Sequence, residues 1–197
     1  MTLSPEELTV SPAIIPALAS AYLVAPPGDH YEFGVFRGGS LLAATRYAPE
    51  STRFFGFDTF DGMPELTGVD TNSEFQRGQF HCTREDVERN LGEALARTTL
   101  VQGDFTKLKP EAMPSGRAVA VAVIDSDLYA SAAAALKLLE PRLQPGSVLL
   151  FDDWNCFGAS NARGERRAFA EFQEASGWRG YFLCDFGWHG RGLIVTR

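Results

Sequence analysis

Along the chain, short apolar blocks suited to β-strands alternate with longer stretches that carry one apolar stripe at helical spacing. Strands are predicted at HYEFGVF (30–36), TRFFGFDTF (52–60), TTLVQGDF (98–105), AVAVAVIDSD (118–127), GSVLLFDDW (146–154), WRGYFLCDF (178–186) and RGLIVTR (191–197). Helices are predicted at GGSLLAATRYA (38–48), TREDVERNLGEAL (83–95), ASAAAALKLLEPRL (130–143) and ARGERRAFAEFQEAS (162–176). In the second of these, Val87, Leu91 and Leu95 form the stripe and Thr83 is placed to cap the N-terminus. Pro145 and Gly146 are expected to stop the third, and Gly177 ends the fourth. The run AVAVAVI is apolar on both faces, as a central parallel strand should be.

Strand–helix alternation predicts an α/β, doubly wound, mostly parallel seven-stranded sheet with helices on both faces. The last two strands are joined only by Gly187–Gly190, too short for a crossover, so they form an antiparallel C-terminal pair. Residues 1–28 are expected to be an N-terminal helical segment packing on the core, held by SPAIIPALASAYLV. Residues 29–197 form the main domain, and the polar, Gly-rich stretch at about 64–82 reads as a lid loop.

Ligands of open parallel sheets bind beyond the C-terminal ends of the strands. Those ends carry Gly34, Gly38, Gly39 and Ser40 after the first strand, Asp58 after the second and Asp104 after the third. Asp125 and Asp127 follow the fourth, and Asp152 and Asp153 the fifth. The glycine bend is no phosphate loop, because Leu41 rather than Lys follows Ser40. Nor is it a dinucleotide fingerprint, because Phe36 stands where the middle glycine is needed.

Glu32 lies on the strand just before that bend. A carboxylate there is costly unless paired, and an ammonium group is a natural partner. Asp58 is positioned to hold two ribose hydroxyls, and Asp104 to accept from the exocyclic amine of a base. A ligand with an amino-acid ammonium, a ribose and an adenine would use all three, which points to S-adenosylmethionine. Asp125, Asp127, Asp152 and Asp153 converge because neighbouring strands lie about 5 Å apart, and no Lys or Arg stands in either motif. A hard divalent cation, most simply Mg²⁺, would relieve their repulsion. It could also bind a substrate hydroxyl and lower its pKa.

Composition narrows the partners. The chain of 197 residues suits one domain with a sizeable core. Its formal net charge of −7 disfavours nucleic acid and anionic membrane as partners. No apolar run approaches the roughly 20 residues that span a bilayer. The start, MTLSPEELTV, lacks the layout of a signal peptide, so a cytoplasmic location is expected. Cys82, Cys156 and Cys184 are odd in number and widely spaced, and read as free thiols.

The stretches YEFGVFRGGS, GFDTFDGMPE, TREDVERNL, VQGDF, IDSDLYAS and LLFDDW together resemble the class I S-adenosylmethionine-dependent methyltransferases. Within them, the chain is similar to the metal-dependent macrocin O-methyltransferase-like family over about residues 29–197. The resemblance implies a Rossmann-like methyltransferase fold and Mg²⁺-dependent O-methylation of a natural-product or sugar-type hydroxyl. It assigns Glu32, Gly34 and Ser40 to the methionine part, Asp58 to the ribose, and Asp104 with Phe105 to the adenine. Asp125, Asp152 and Asp153 would bind the metal, with Asp127, two residues further on, set outside that group. The base would be Asp125 or His189, with His81 a further candidate. Trp154, Trp188 and Phe157 would wall the acceptor, and the apolar N-terminal segment suits a homodimer. The chain is shorter than its family, so a small acceptor hydroxyl is as fitting as a sugar-linked macrolide.

A nicotinamide-dependent oxidoreductase would explain Asp58 but not Glu32 or the acidic cluster. A non-catalytic cofactor-binding domain would not need that cluster. A nucleic-acid methyltransferase would need a basic stripe.

Overall fold

The computed structural model describes residues 11–66, 68–71 and 75–197; residues 1–10 of the expected N-terminal segment and residues 67 and 72–74 of the expected lid lie outside them. The chain forms β1 (Asp29–Phe33), β2 (Phe54–Asp58), β3 (Thr98–Gln102), β4 (Val119–Ile124), β5 (Val148–Phe151), β6 (Arg179–Phe186) and β7 (Gly190–Thr196). The helices are α1 (Ile14–Val24), α2 (Gly39–Ala44), α3 (Arg84–Leu91), α4 (Tyr129–Leu139), α5 (Cys156–Ala159) and α6 (Gly164–Ser176). The seven strands lie in the order β3-β2-β1-β4-β5-β7-β6. The first five are parallel, and β7 runs antiparallel to both β5 and β6, as the short last connection requires.

Each predicted element is present, with shifted ends. The third helix stops at Leu139 and continues only as a 3₁₀ turn over Glu140–Arg142, ahead of the expected Pro145. Pro141 lacks the N–H that an α-helix needs there. Thr83 caps α3 as expected, accepting from the Asp86 amide at 3.2 Å.

The sheet has a core on each side. One packs Tyr31, Phe33, Phe55 and Phe57 with Leu136 of α4 and Phe169 of α6. The Phe33 and Phe57 rings stack at 4.6 Å across two parallel strands. The other packs Val121 and Val123 with Leu18 of α1, Leu41 of α2 and Val87 of α3. The buried residues of α1, Ile14, Ala17, Leu18 and Ala21, recur at helical spacing.

Strand register is what positions the site. Phe33 pairs with Phe57 and Ile124, and Ile124 pairs with Phe151. The next residue on each strand therefore lies at one edge of the sheet: Gly34, Asp58, Asp125 and Asp152. On β3, Gln102 is level with Asp58, so Asp104 stands two residues beyond the edge.

Candidate active site

Gly34 turns the chain out of β1 at φ +89°, a conformation L side chains rarely adopt, and a Cβ there would fall 1.7 Å from the Asp125 carbonyl oxygen. The bend is held by Asp58. Its Oδ2 accepts from the Val35 and Phe36 amides at 2.8 and 2.9 Å, and its Oδ1 from the Phe60 amide at 2.8 Å. Asp58 thus shapes the loop and still lines a cleft of about 530 Å³ with Gly34, Phe36, Phe105, Asp125 and Asp127. A second cleft, of about 850 Å³, shares Phe36, Phe80 and Asp125 and is lined by Ser40 and Asp152. The two clefts meet over the end of β4.

Glu32 is wholly buried and lines neither cleft. Its Oε1 accepts from Ser40 Oγ at 2.8 Å, and Ser40 stands between it and the second cleft. Asp104 faces its own loop, accepting from the Thr106 amide at 3.0 Å and pairing with Lys107 at 2.9 Å. Its neighbour Phe105 reaches the first cleft.

The remaining carboxylates converge as the sequence predicts. Asp125, Asp127 and Asp153 bring oxygens within 4.8 Å of one another, and Asp152, Asp153 and His189 bring two oxygens and a ring nitrogen equally close. Asp127 therefore stands among the possible ligands, against the expectation that left it outside. Its backbone, at φ +58°, turns back toward the sheet, and its amide donates to Asp153 Oδ2 at 3.2 Å. His189 is drawn in because Asn155 ties the segment after β5 to the β6–β7 loop. Its amide donates to the His189 carbonyl at 2.8 Å and its side chain to the Trp188 carbonyl at 3.1 Å. His189 Nδ1 is bonded to the Asp152 carbonyl oxygen and lies 3.7 Å from Asp152 Oδ2.

Glu165, at the start of α6, was not singled out in the sequence. It is wholly buried, and its Oε2 accepts from the Asp153 amide at 3.0 Å. Its Oε1, like Asp152 Oδ1, is buried with no hydrogen-bond partner among the described residues. Cys156 adds a thiol contact to Asp153 Oδ1 at 3.2 Å.

Burial and mutual repulsion raise these acids. Asp125 is pushed well above the ordinary carboxylate range by burial, then by Asp152 and Asp153. Burial raises Asp127 too, helped by Asp153. Asp152 is raised from 3.8 to about 6 by burial and Asp153, with His189 pulling the other way. Glu165 is raised by burial first and Asp153 second. Orphaned carboxylate oxygens in a cluster without Lys or Arg are the donor set a hard divalent cation takes.

The other expected site residues are spread around the clefts and the core. His81 is exposed and lines neither cleft. Trp154 is half-buried and packs on the core, against Phe151 at 5.2 Å and Phe169 at 5.9 Å. Trp188 is 74% exposed beside His189. Phe157 faces Phe75 at 6.1 Å, which in turn meets Phe80. The described part of the 64–82 stretch is anchored: Asp70 accepts from the Tyr129 and Ala130 amides at 3.1 Å, and the Gly78 amide donates to the Met63 carbonyl at 3.0 Å. The three cysteines are free thiols, as expected. No helix among the described residues is long and apolar enough to cross a membrane.

The macrocin-O-methyltransferase (TylF) family profile matches residues 17–179. A curated relative, the 8-demethyl-8-(2,3-dimethoxy-alpha-L-rhamnosyl)-tetracenomycin-C 4'-O-methyltransferase of Streptomyces olivaceus, is 35% identical over 142 residues, 65% of this chain and 53% of its own. Mycinamicin III 3''-O-methyltransferase of Micromonospora griseorubida is 29% identical over 166 residues, 77% of this chain and 62% of its own. The chain thus spans between half and two thirds of the length of these curated relatives. Among solved structures, a calicheamicin methyltransferase is 27% identical with a TM-score of 0.69, covering 91% of this chain and 76% of that one.

Proposed function

We propose that this chain, which belongs to the macrocin-O-methyltransferase family, transfers a methyl group from S-adenosylmethionine to a hydroxyl of a sugar-type or natural-product acceptor. The observation that carries the reading is the level edge of the sheet, where a glycine bend and Asp58 adjoin a carboxylate cluster with no Lys or Arg in its motifs. The rhamnosyl group in one relative's name supports a sugar hydroxyl as acceptor.

In this reading, the first cleft takes the nucleoside, with Asp58 toward the ribose and Phe105 against the base. The donor's centre lies at the junction of the clefts, over Asp125 and the Gly34 bend that packs on it. The methionine end then turns toward Ser40. Asp125, Asp152 and Asp153 would hold Mg²⁺, with Asp127 in reach of the same position. A bound divalent cation supplies Lewis acidity that lowers the pKa of an acceptor hydroxyl. Asp125 and His189 are the candidate bases. The Asp152 carbonyl fixes the His189 proton on Nδ1, which leaves Nε2 with a free lone pair. The clefts hold donor and acceptor in line, and alignment alone accounts for much of the acceleration of such a transfer. The 64–82 stretch, tied down at Asp70, acts as the lid, with Phe80 as its contact to both clefts. Exposed Leu23 and Val24 at the end of α1 support a homodimer.

The test is calorimetric titration of S-adenosylmethionine and S-adenosylhomocysteine, then of Mg²⁺ into the cofactor complex, followed by methyl transfer to nucleotide-linked and free deoxysugars. Donor binding with Mg²⁺-dependent transfer is expected. Absence of donor binding overturns the reading.

A further inference from the structure

A line of polar groups runs through the core beneath the glycine bend. The Tyr22 hydroxyl on α1 meets His30 Nδ1 at 2.8 Å. His30 Nε2 faces Glu32 Oε2 at 3.4 Å, and Glu32 Oε1 accepts from Ser40 Oγ at 2.8 Å. His30 and Glu32 are both wholly buried. They sit two residues apart on β1, so they share one face of the strand. Of the four, Ser40 alone lines the second cleft.

Chemistry gives this line a direction. Burial first, and the charge of Glu32 second, push the Tyr22 phenol far above its ordinary pKa, so it keeps its proton. It donates to Nδ1, which places the ring proton on Nε2, facing Glu32. Glu32 then receives a proton from each side, and the single hydroxyl proton of Ser40 is committed to it. Ser40 Oγ turns only acceptor lone pairs toward the cleft. Its ligand partner must be a donor, and a cationic one is favoured by the carboxylate behind it. An apolar strand would hold the sheet at less cost than two wholly buried polar side chains, His30 and Glu32.

We propose that Tyr22 and His30 are positioning residues for the amino-acid end of the methyl donor: the relay Tyr22–His30–Glu32–Ser40 aims Ser40 Oγ at the donor's ammonium group. This rests on the S-adenosylmethionine reading above.

The test compares S-adenosylhomocysteine with its deamino analogue, in which hydrogen replaces the ammonium group, by calorimetry on the whole chain. Wild type is expected to prefer S-adenosylhomocysteine by about tenfold or more, the worth of one hydrogen bond to a charged group. In His30→Phe, which keeps a ring against Phe54, that preference falls to near unity while the deamino analogue binds as before. His30→Gln, which retains a donor toward Glu32, restores most of the preference. Tyr22→Phe lowers it about threefold and carries the test where His30→Phe does not fold. If wild type prefers S-adenosylhomocysteine and the foldable variants keep that preference, or lose both ligands equally, the relay is overturned and the donor reading stands. If wild type binds neither ligand, the donor reading falls and the relay with it.

Discussion

The two edges of the sheet treat buried carboxylates in opposite ways. At the N-terminal edge, Asp29 opens β1 and is wholly buried. Its Oδ1 accepts from Arg117 Nε and Nη2 at 3.0 and 2.9 Å and from the Arg53 amide at 3.1 Å. Its Oδ2 accepts from the Arg117 amide at 2.7 Å. Burial pulls its pKa up, yet these donors outweigh burial and hold it below the ordinary value. At the C-terminal edge, Asp125, Asp127, Asp152, Asp153 and Glu165 are all pushed up. One edge is a closed structural joint. The other crowds buried carboxylates together, two of them with an oxygen that has no partner among the described residues, at a cost in stability.

The sharpest way to break this comparison is to neutralise each edge. Asp152→Asn/Asp153→Asn should cost roughly a thousandfold in methyl transfer, since metal-ion catalysis supplies several kcal/mol of charge stabilisation. Its melting temperature in cation-free buffer should equal or exceed that of wild type, because repulsion is relieved. A variant that melts well below wild type would make the cluster structural. Asp29→Ala should do the reverse. It leaves the Arg53 and Arg117 amides without their buried acceptor, at about 3 kcal/mol in urea denaturation, while donor affinity stays within about twofold because the edge proposed to bind donor is untouched.

The next effect is pH dependence, with opposite signs at the two edges. Asp29 has a lowered folded pKa, so its contribution is present above its ordinary 3.8 and lost as pH falls below it. Asp152 is raised from 3.8 to about 6, so its contribution is present below 3.8 and lost as pH rises through about 6. The melting temperature of cation-free wild type, relative to Asp152→Asn/Asp153→Asn, should therefore fall between pH 4 and pH 7. Mg²⁺ should raise it more at pH 7 than at pH 5. A difference that is flat across that window would remove the electrostatic argument for the cation.

What was legible in the sequence follows from range. Five apolar blocks each run into a glycine bend or aspartate, and parallel pairing aligns their ends, so the site edge and its acids could be read directly. Partners supplied by distant segments could not. Asp29 stands just outside the block read as a strand, and its guanidinium comes from Arg117, 88 positions away. His30 looks like an ordinary strand residue until Tyr22 of α1 meets it. Glu165 lies inside a predicted helix, and only the fold brings it to the Asp153 amide. Asp127 seemed too far along, because a strand end was extrapolated where the backbone turns at φ +58°.

The smallest effect separates an edge residue from one beyond it. Asp104 carries the same chemistry as Asp58 and ends a neighbouring strand, which is why both were assigned to the nucleoside. Register divides them: Asp58 is level with Gln102, and Asp104 lies two residues further on. There it accepts from Thr106 and pairs with Lys107, and these donors outweigh burial and lower its pKa. Asp104→Asn should cost less than about 1 kcal/mol, the worth of an exposed pair and a local cap, and leave S-adenosylhomocysteine affinity within about threefold. Asp58→Asn should weaken the same affinity by tenfold or more, because it loosens the bend as well as the proposed ribose contact. If Asp104→Asn weakens binding as much as Asp58→Asn, the loop carrying Asp104 folds inward on the adenine, and strand register alone does not set the limit of the site.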